Sequence, residues 1–279
     1  MRKDFSIIIA TYNAIETLSD CIDSIRLQES AQYEVLIVDG ESTDGTQQIL
    51  RENQELFSYL IIEPDNGIYD AWNKAIEHCN GEWVIFLGAD DRFKDPKVLG
   101  NLARLISKKA TSKTKYIYGQ IDLLDGDTVI DRFGEELFPN LKKRVIMQRG
   151  FSHTGLLHHH SLFTEYGKFD ATYKIAGDSE FLTRTLKDPD IEVMKVDLDV
   201  AVMGQGGIST SVESRFVAYL EDMRALRRHG YMIPPRHILT KAFRATTAYC
   251  INRTLGPKFT LGICNLYRRL VGKNTRNKV

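Results

Sequence analysis

The chain has 279 residues, 43% of them hydrophobic and 27% charged, the composition of an ordinary globular protein with ample material for a core. Lys plus Arg and Asp plus Glu both number 37, so net charge points to no partner. No run approaches the roughly 20 apolar residues that span a bilayer, and four scattered cysteines without a CxxC pair signal neither a zinc site nor a disulfide framework.

Short β-branched runs bounded by turn residues alternate with helical spacing through the first hundred residues, a pattern that predicts βαβ units and a mainly parallel sheet flanked by helices. Strands are expected at Ser6 to Ala10, Glu34 to Val38, Tyr59 to Ile62 and Trp83 to Leu87. Helices are expected at Ile15 to Leu27, Thr46 to Phe57 and Tyr69 to Cys79. Each strand runs into polar residues: Thr11, Tyr12 and Asn13, then Asp39, then Asp65 and Asn66, then Asp90 and Asp91. In open α/β sheets ligands bind outside the carboxyl ends of the strands, so these residues should converge on one cleft. Beyond residue 115 a hairpin is expected from Tyr116 to Leu123 and Thr128 to Phe133, then a less regular stretch to about 150 and a turn-rich segment from Phe163 to Tyr173. A helix at Asp178 to Leu186, a strand at Ile191 to Val202 and a polar helix at Val212 to Arg228 follow.

Three common nucleotide or hydrolase signatures are missing. The first turn, ATYNAIE, has no glycine where GxGxxG would lie, no P-loop is present, and GFSHTG is one residue too long for a GxSxG elbow. Asp90 and Asp91 directly follow an apolar strand, and adjacent carboxylates there repel unless a cation sits between them. Hard oxygen ligands suit Mg²⁺ or Mn²⁺, which also bridge diphosphate oxygens. A solvated turn is the plain alternative.

At this point the chain resembles the family 2 glycosyltransferases with the GT-A fold. The resemblance rests on SIIIATYNA at Ser6 to Ala14, VDGESTDGT at Val38 to Thr46, EPDNGIYDAWNKAI at Glu63 to Ile76, GEWVIFLGADD at Gly81 to Asp91 and GKFDATYKIAGDSEFLTR at Gly167 to Arg184. These motifs stand in order over about three quarters of the chain, in a form most like bacterial transferases that build O-antigen, capsule or exopolysaccharide. The resemblance implies a catalytic domain over 1–222, with a nucleotide-sugar half to about 115 and an acceptor half after it; the charge pattern sets off a basic helical extension over 223–279. The resemblance also implies inverting transfer from a nucleotide diphosphate sugar, with uridine the preferred base, to a hydroxyl of a glycan or lipid-linked acceptor such as one on polyprenyl diphosphate; a sugar nucleotidyltransferase and a non-catalytic sugar-nucleotide or polysaccharide-binding module on the same fold are the alternatives. By residue, Thr11, Tyr12, Asn13 and Asp39 would hold base and ribose; Asp65, Gly67 and Asn73 would approach the nucleotide; Asp90 would face the donor; and Asp91 would ligate the metal. Asp178 falls where the family places its catalytic base, although Gly177 replaces the usual preceding Glu, which leaves Glu180 as the alternative base. His153 and Ser209 are candidates for acceptor or phosphate contact, with a packed histidine and a plain surface loop as their alternatives. Capping is the alternative for Asp39 and Asp44. His158 to His160 receive no metal role, because adjacent side chains diverge.

The last acidic residue is Asp222. Residues 223–279 carry 13 basic residues and no acid, leaving 24 basic and 37 acidic residues in 1–222. Ile238, Ala242, Ala245 and Tyr249 repeat at helical spacing beside a second stripe of Leu239, Phe243, Thr246 and Cys250, and Leu261, Cys264 and Leu270 suggest a further helix. Such a segment could rest on anionic lipid, at about 1 kcal/mol per basic residue, placing a cytoplasmic protein at the inner face of the membrane; it could equally pack on the acidic body. No nucleic-acid reader motif accompanies the charge, so nucleic acid is not expected as a partner.

Overall fold

The computed structural model of the chain describes residues 3–134, 152–204, 207, 211–231 and 236–276. Strands β1 (Lys3–Thr11), β2 (Tyr33–Asp39), β3 (Tyr59–Ile62) and β4 (Gly81–Gly88) alternate with helices α1 (Leu18–Arg26), α2 (Thr46–Glu52) and α3 (Ile68–Ile76), as the alternating pattern predicts. Next come β5 (Arg92–Phe93), α4 (Val98–Lys109), the hairpin β6 (Thr114–Asp125) and β7 (Thr128–Phe133), β8 (Leu156–His159), α5 (Ser161–Glu165), α6 (Gly177–Thr185), β9 (Glu192–Met203) and α7 (Val212–Arg228). Helices α8 (Arg236–Leu255) and α9 (Pro257–Leu270) form the extension. Residue 222, where the acidic residues end, lies inside α7, so the change of charge does not coincide with a break between elements.

The strands form one sheet in the order β3-β2-β1-β4-β8-β6-β9-β5, with β7 on β6. The β3-β2-β1-β4 half is parallel throughout; the other half is mixed, β8 running antiparallel to both β4 and β6 while β9 is parallel to β6. Because β2 and β3 lie to one side of β1 and β4 to the other, the strand order reverses between β1 and β4, and a crevice opens at their carboxyl ends.

Both faces of the sheet are buried, which is why β1 reads as a continuous apolar run instead of an alternating one. Ile8, Leu36, Val38, Val84 and Phe86 face a core shared with α3 and α6; Ile7, Ile9, Val35, Ile37, Ile85 and Leu87 face a core covered by α1, α2 and α4. Helix α1 buries Leu18, Cys21, Ile22 and Ile25, spaced by three and four residues on one face. The histidine run follows the same alternation: His158 lies against Phe86 and Tyr116, whereas His159 lies against Trp83 in the opposite core.

The extension packs on the body. Tyr249 of α8 stacks on Phe216 of α7 at 5.0 Å, Asn252 donates to Glu213 at 2.9 Å, and Ala245 is buried, as its stripe predicts. After Gly256, at φ 82°, α9 turns back to the edge strand β7. There Arg268 donates to the Asp131 carboxylate at 3.0 Å and to the Ile130 carbonyl at 2.7 Å, joined at Asp131 by Lys273 and Arg276. The expected apolar stripe of α9 differs from the one observed: Arg268 is buried and Leu270 is exposed.

Candidate active site

The β1, β2 and β3 ends build the first part of the site. Asp39 is fully buried, accepting from Thr11 Oγ1 at 2.7 Å, Ser42 Oγ at 2.6 Å and the Ser42 amide at 2.9 Å. One acceptor position on Oδ1 remains beyond that amide. Asn13, at φ 50°, donates its amide to Ser42 Oγ and accepts from the Thr43 amide, tying the β1 loop to the β2 loop. Asp44 accepts from the Thr46 amide and hydroxyl and from the Ile15 amide, the turn-bracing alternative expected for it. Tyr12 is exposed beside Gly40, where an added Cβ would meet Asp65 Oδ2 at 2.7 Å and the Tyr12 ring at 3.3 Å. Asp65 in turn accepts from the Gly67 amide at 2.8 Å. Thr11, Tyr12, Asn13, Asp39, Asp65 and Gly67 therefore form one cluster. Asn73 is placed elsewhere: its amide exchanges two hydrogen bonds with the Phe169 backbone and joins α3 to the segment before α6.

The second part lies at the end of β4. Asp91 is buried, and its Oδ2 accepts from the Gly88 amide and from Thr154 Oγ1, both at 2.9 Å, while Oδ1 receives the Gly204 amide at 3.3 Å. Burial, then the charge of Asp90, push the Asp91 carboxyl up to about 7. Gly204 and Gly207 lie against Asp90; a Cβ at Gly204 would meet the Asp90 backbone oxygen at 2.6 Å. A cleft lined by Thr17, Asp20, Asp90, Asp91, Arg92 and Gly204 opens beside the pair. Among the described residues no group of three or more His, Cys, Asp or Glu side chains is placed to hold a metal. Two adjacent carboxylates with oxygen chemistry alone fit a hard cation that takes its remaining ligands from a diphosphate and water, the usual manner of Mg²⁺.

The third part is the start of α6. Asp178 is half-buried and accepts from Tyr69 Oη at 3.2 Å; the same hydroxyl reaches the Ile175 carbonyl at 2.7 Å. The glycine before it has a steric reason, since a Cβ at Gly177 would sit 2.8 Å from the Tyr69 ring. Glu180, two residues on, points elsewhere, as i and i+2 must on a helix. Its buried carboxylate meets Arg184 at 3.1 Å and His229 at 2.7 Å. His153 stacks on Trp72 at 5.0 Å, burial lowers it to about 3, and its Nε2 is shielded without a partner among the described residues. Trp72 packs edge-on against Tyr69 at 5.4 Å, and His153 adjoins Thr154 in sequence. A run of contacts therefore joins Asp91, through Thr154, His153, Trp72 and Tyr69, to Asp178. Ser209 lies outside the described residues.

Sequence reasoning missed Ser42, Thr154, Tyr69 and Glu221. Ser42 and Tyr69 stand inside quoted motifs, so their positions gave a signal. Glu221 gave none: its carboxylate accepts from the amides of Lys174, Ile175 and Ala176 at 2.7, 2.9 and 2.9 Å, holding the loop that leads into α6.

Residues 6–165 match the family described as Glycosyl transferase family 2. A PGL/p-HBAD biosynthesis glycosyltransferase of Mycobacterium bovis (strain BCG / Pasteur 1173P2) is 31% identical over 225 residues, 77% of this chain and 83% of that protein. The putative teichuronic acid biosynthesis glycosyltransferase TuaG of Bacillus subtilis (strain 168) is 33% identical over 132 residues, 46% of this chain and 51% of its own. Among solved structures, residues 1–349 of S. aureus TarS in complex with UDP-GlcNAc superpose with a TM-score of 0.66 at 20% identity, over 87% of this chain and 72% of that one. The mannosyltransferase PcManGT of Pyrobaculum calidifontis, in complex with GDP-Man and Mn²⁺, gives 0.60 at 18% identity, over 91% and 76%. Matched over more than half its length and sharing this identity with a relative across most of both chains, the protein belongs to glycosyl transferase family 2 and has the GT-A fold.

Proposed function

We propose that the chain is a metal-dependent, inverting transferase that moves a sugar from a nucleotide diphosphate, with UDP the preferred carrier, to a hydroxyl of a glycan or polyprenyl-diphosphate-linked acceptor in cell-surface polysaccharide synthesis. The carrying observation is the continuous set of contacts between the buried Asp91, beside Asp90 at the sheet's reversal point, and a single carboxylate, Asp178, held by Tyr69. The relatives named for PGL/p-HBAD and teichuronic acid biosynthesis support the glycan class, and neighbours solved with UDP-GlcNAc and with GDP-Man and Mn²⁺ support the donor class.

Tyr12, Asp39 and Asp65 would receive the nucleoside, and Asp91 with Asp90 would hold Mg²⁺ or Mn²⁺. The cation supplies positive charge against the leaving diphosphate. Asp178 accepts the proton of the acceptor hydroxyl as that oxygen bonds to the anomeric carbon and the bond to the diphosphate breaks. Tyr69 orients the Asp178 carboxylate through the hydrogen bond from its hydroxyl. With a lipid-linked acceptor, the reaction would run at the inner face of the cytoplasmic membrane.

The test is Asp178→Asn with product stereochemistry. Turnover should fall about 10² to 10⁴-fold with donor affinity retained, and an α-linked donor should give a β-glycoside by anomeric coupling in proton NMR. Near-normal turnover in this variant removes Asp178 as the base, and an α-linked product removes the single displacement.

A further inference from the structure

Helix α9 turns most of its large apolar side chains outward. Its body-facing side carries the buried Thr260 and Arg268 with the half-buried Leu261, Cys264 and Asn265, whereas Phe259, Ile263, Leu266 and Leu270 are 52, 41, 61 and 78% exposed. Those four recur at intervals of four, three and four, one narrow stripe along the helix. Single exposed apolar residues are ordinary, but a row of four large ones on a helix that points an arginine inward is not. Of the fourteen large apolar residues exposed among the described residues, nine lie between Leu239 and Val271. The orientation is held by the Arg268 bonds to Asp131 and to the Ile130 carbonyl, so the stripe cannot turn inward without breaking them.

We propose that this stripe is a docking surface for an anionic lipid bilayer, with α9 lying in the plane of the interface. The surface lies outside the transfer site and stands whether or not the proposed reaction is correct. The choice of occupant follows from charge. Lys258 and Arg269 are exposed on α9, and residues 223–279 hold 13 basic side chains and no acidic one. A second copy meeting the stripe face to face would bring like charges together, whereas phosphate headgroups would neutralise them while the apolar row enters the acyl boundary. Fourteen residues are too few to cross a bilayer, and no helix among the described residues is long and apolar enough to do so. Leu239 and Phe243 of α8 are also exposed and add apolar area to the same extension.

The test is sedimentation of the full chain with vesicles of phosphatidylcholine alone and of phosphatidylcholine mixed equally with phosphatidylglycerol. Binding should appear with the mixed vesicles only and weaken when salt is raised to about 1 M, where charges are screened beyond ~3 Å. Phe259→Ser with Leu266→Ser should lower the bound fraction at least about tenfold. Leu220→Ser, an exposed apolar residue on α7, should leave it unchanged. Both sites are exposed, so melting curves should match the parent chain and separate lost docking from lost folding. Absence of binding to the mixed vesicles, equal binding to both kinds, or a dimer in sedimentation velocity that the double substitution dissociates would overturn the proposal. Turnover of a soluble acceptor without vesicles reports on the transfer reaction separately.

Discussion

Asp91 occupies a poor position for a carboxylate in the absence of a cation. Three donors stabilise it, yet burial and Asp90 outweigh them and push it up to about 7. The folded state therefore binds a proton that the unfolded chain, near pH 4, has already released. With fewer protons bound in the unfolded state, the contribution of Asp91 to the stability of the metal-free protein falls as pH rises from about 4 to about 7 and is level above that. Asp91→Asn removes the charge and should raise the melting temperature of the metal-free protein at pH 8, with little change at pH 4. The same substitution should abolish the gain in melting temperature that Mn²⁺ with a nucleoside diphosphate gives the parent chain. In the parent, protons compete with the cation, so that gain should shrink as pH drops below about 7. Thermal scans over pH, with and without Mn²⁺, measure all three, and an unaltered gain in Asp91→Asn would remove this residue from metal binding. Glu180→Gln should behave differently. Its carboxylate is enclosed by Arg184 and His229, and breaking such a buried network lowers stability by about 3 kcal/mol or more, a loss that denaturant unfolding would show alongside retained base chemistry per folded molecule.

Among the elements, α6 depends on its neighbours for its aim. The three backbone N–H groups ahead of it converge on Glu221 of α7, and Tyr69 of α3 fills the space that a side chain at Gly177 would take. Glu221→Gln places an amide NH₂ against one or more of those N–H groups. Hydrogen bonds to charged groups are worth about 1.5–3 kcal/mol each, so stability should fall measurably in denaturant. If the loop aims Asp178, kcat should fall while donor KM holds; equal loss in both would mean that the loop serves the donor site instead. Such long-range roles explain what the sequence could not reveal. The parallel half was legible because its apolar runs are bracketed by turn residues, and the cluster from Thr11 to Gly67 followed from strand ends and motif spacing. Helix α4 was passed over because its buried residues, Val98, Leu99 and Leu102, gather in its first half and a basic stretch follows. Strands β5 and β8, two and four residues long, are too short for a periodicity to register. Tyr69 and Glu221 reach partners 109 and 45 to 47 residues away, a pairing that only the packed chain creates. For α9, the sequence reading singled out Leu261, Cys264 and Leu270, of which only Leu270 belongs to the exposed row, because the helix has apolar residues on both sides and periodicity alone does not say which side meets the body.

In the molecule as a whole, Asp131 on the edge strand β7 is one of the places where the acidic body meets the basic extension, gathering three of its cations. Burial raises its carboxyl, but hydrogen bonds from Lys273 and Arg268 outweigh that and hold it below the usual carboxylate range. The lowered value means that the contact contributes stability above the ordinary carboxylate range and loses it as pH falls through the shifted one. Because β7 lies at the edge of the sheet, α9 and the segment after it also cover backbone groups that an edge would otherwise expose: Arg268 takes the Ile130 carbonyl and Asn274 the Val129 carbonyl at 2.8 Å. Asp131→Ala would leave the buried Arg268 without its counter-charge. Removing one partner of a fully buried pair costs about 3–5 kcal/mol, and the half-exposed Lys273 should bring the figure to the lower end. The loss should be local, since among the described residues Asp39, Asp91 and Asp178 have no hydrogen bond or ion pair with this network. Amide exchange across α9 should therefore accelerate, and trypsin should cut at Arg268 and Arg269 well before the body is attacked, while turnover of a soluble acceptor is retained. Unchanged exchange in α9 would show that the packing of α8 on α7, through Tyr249 and Phe216, is what holds the extension in place.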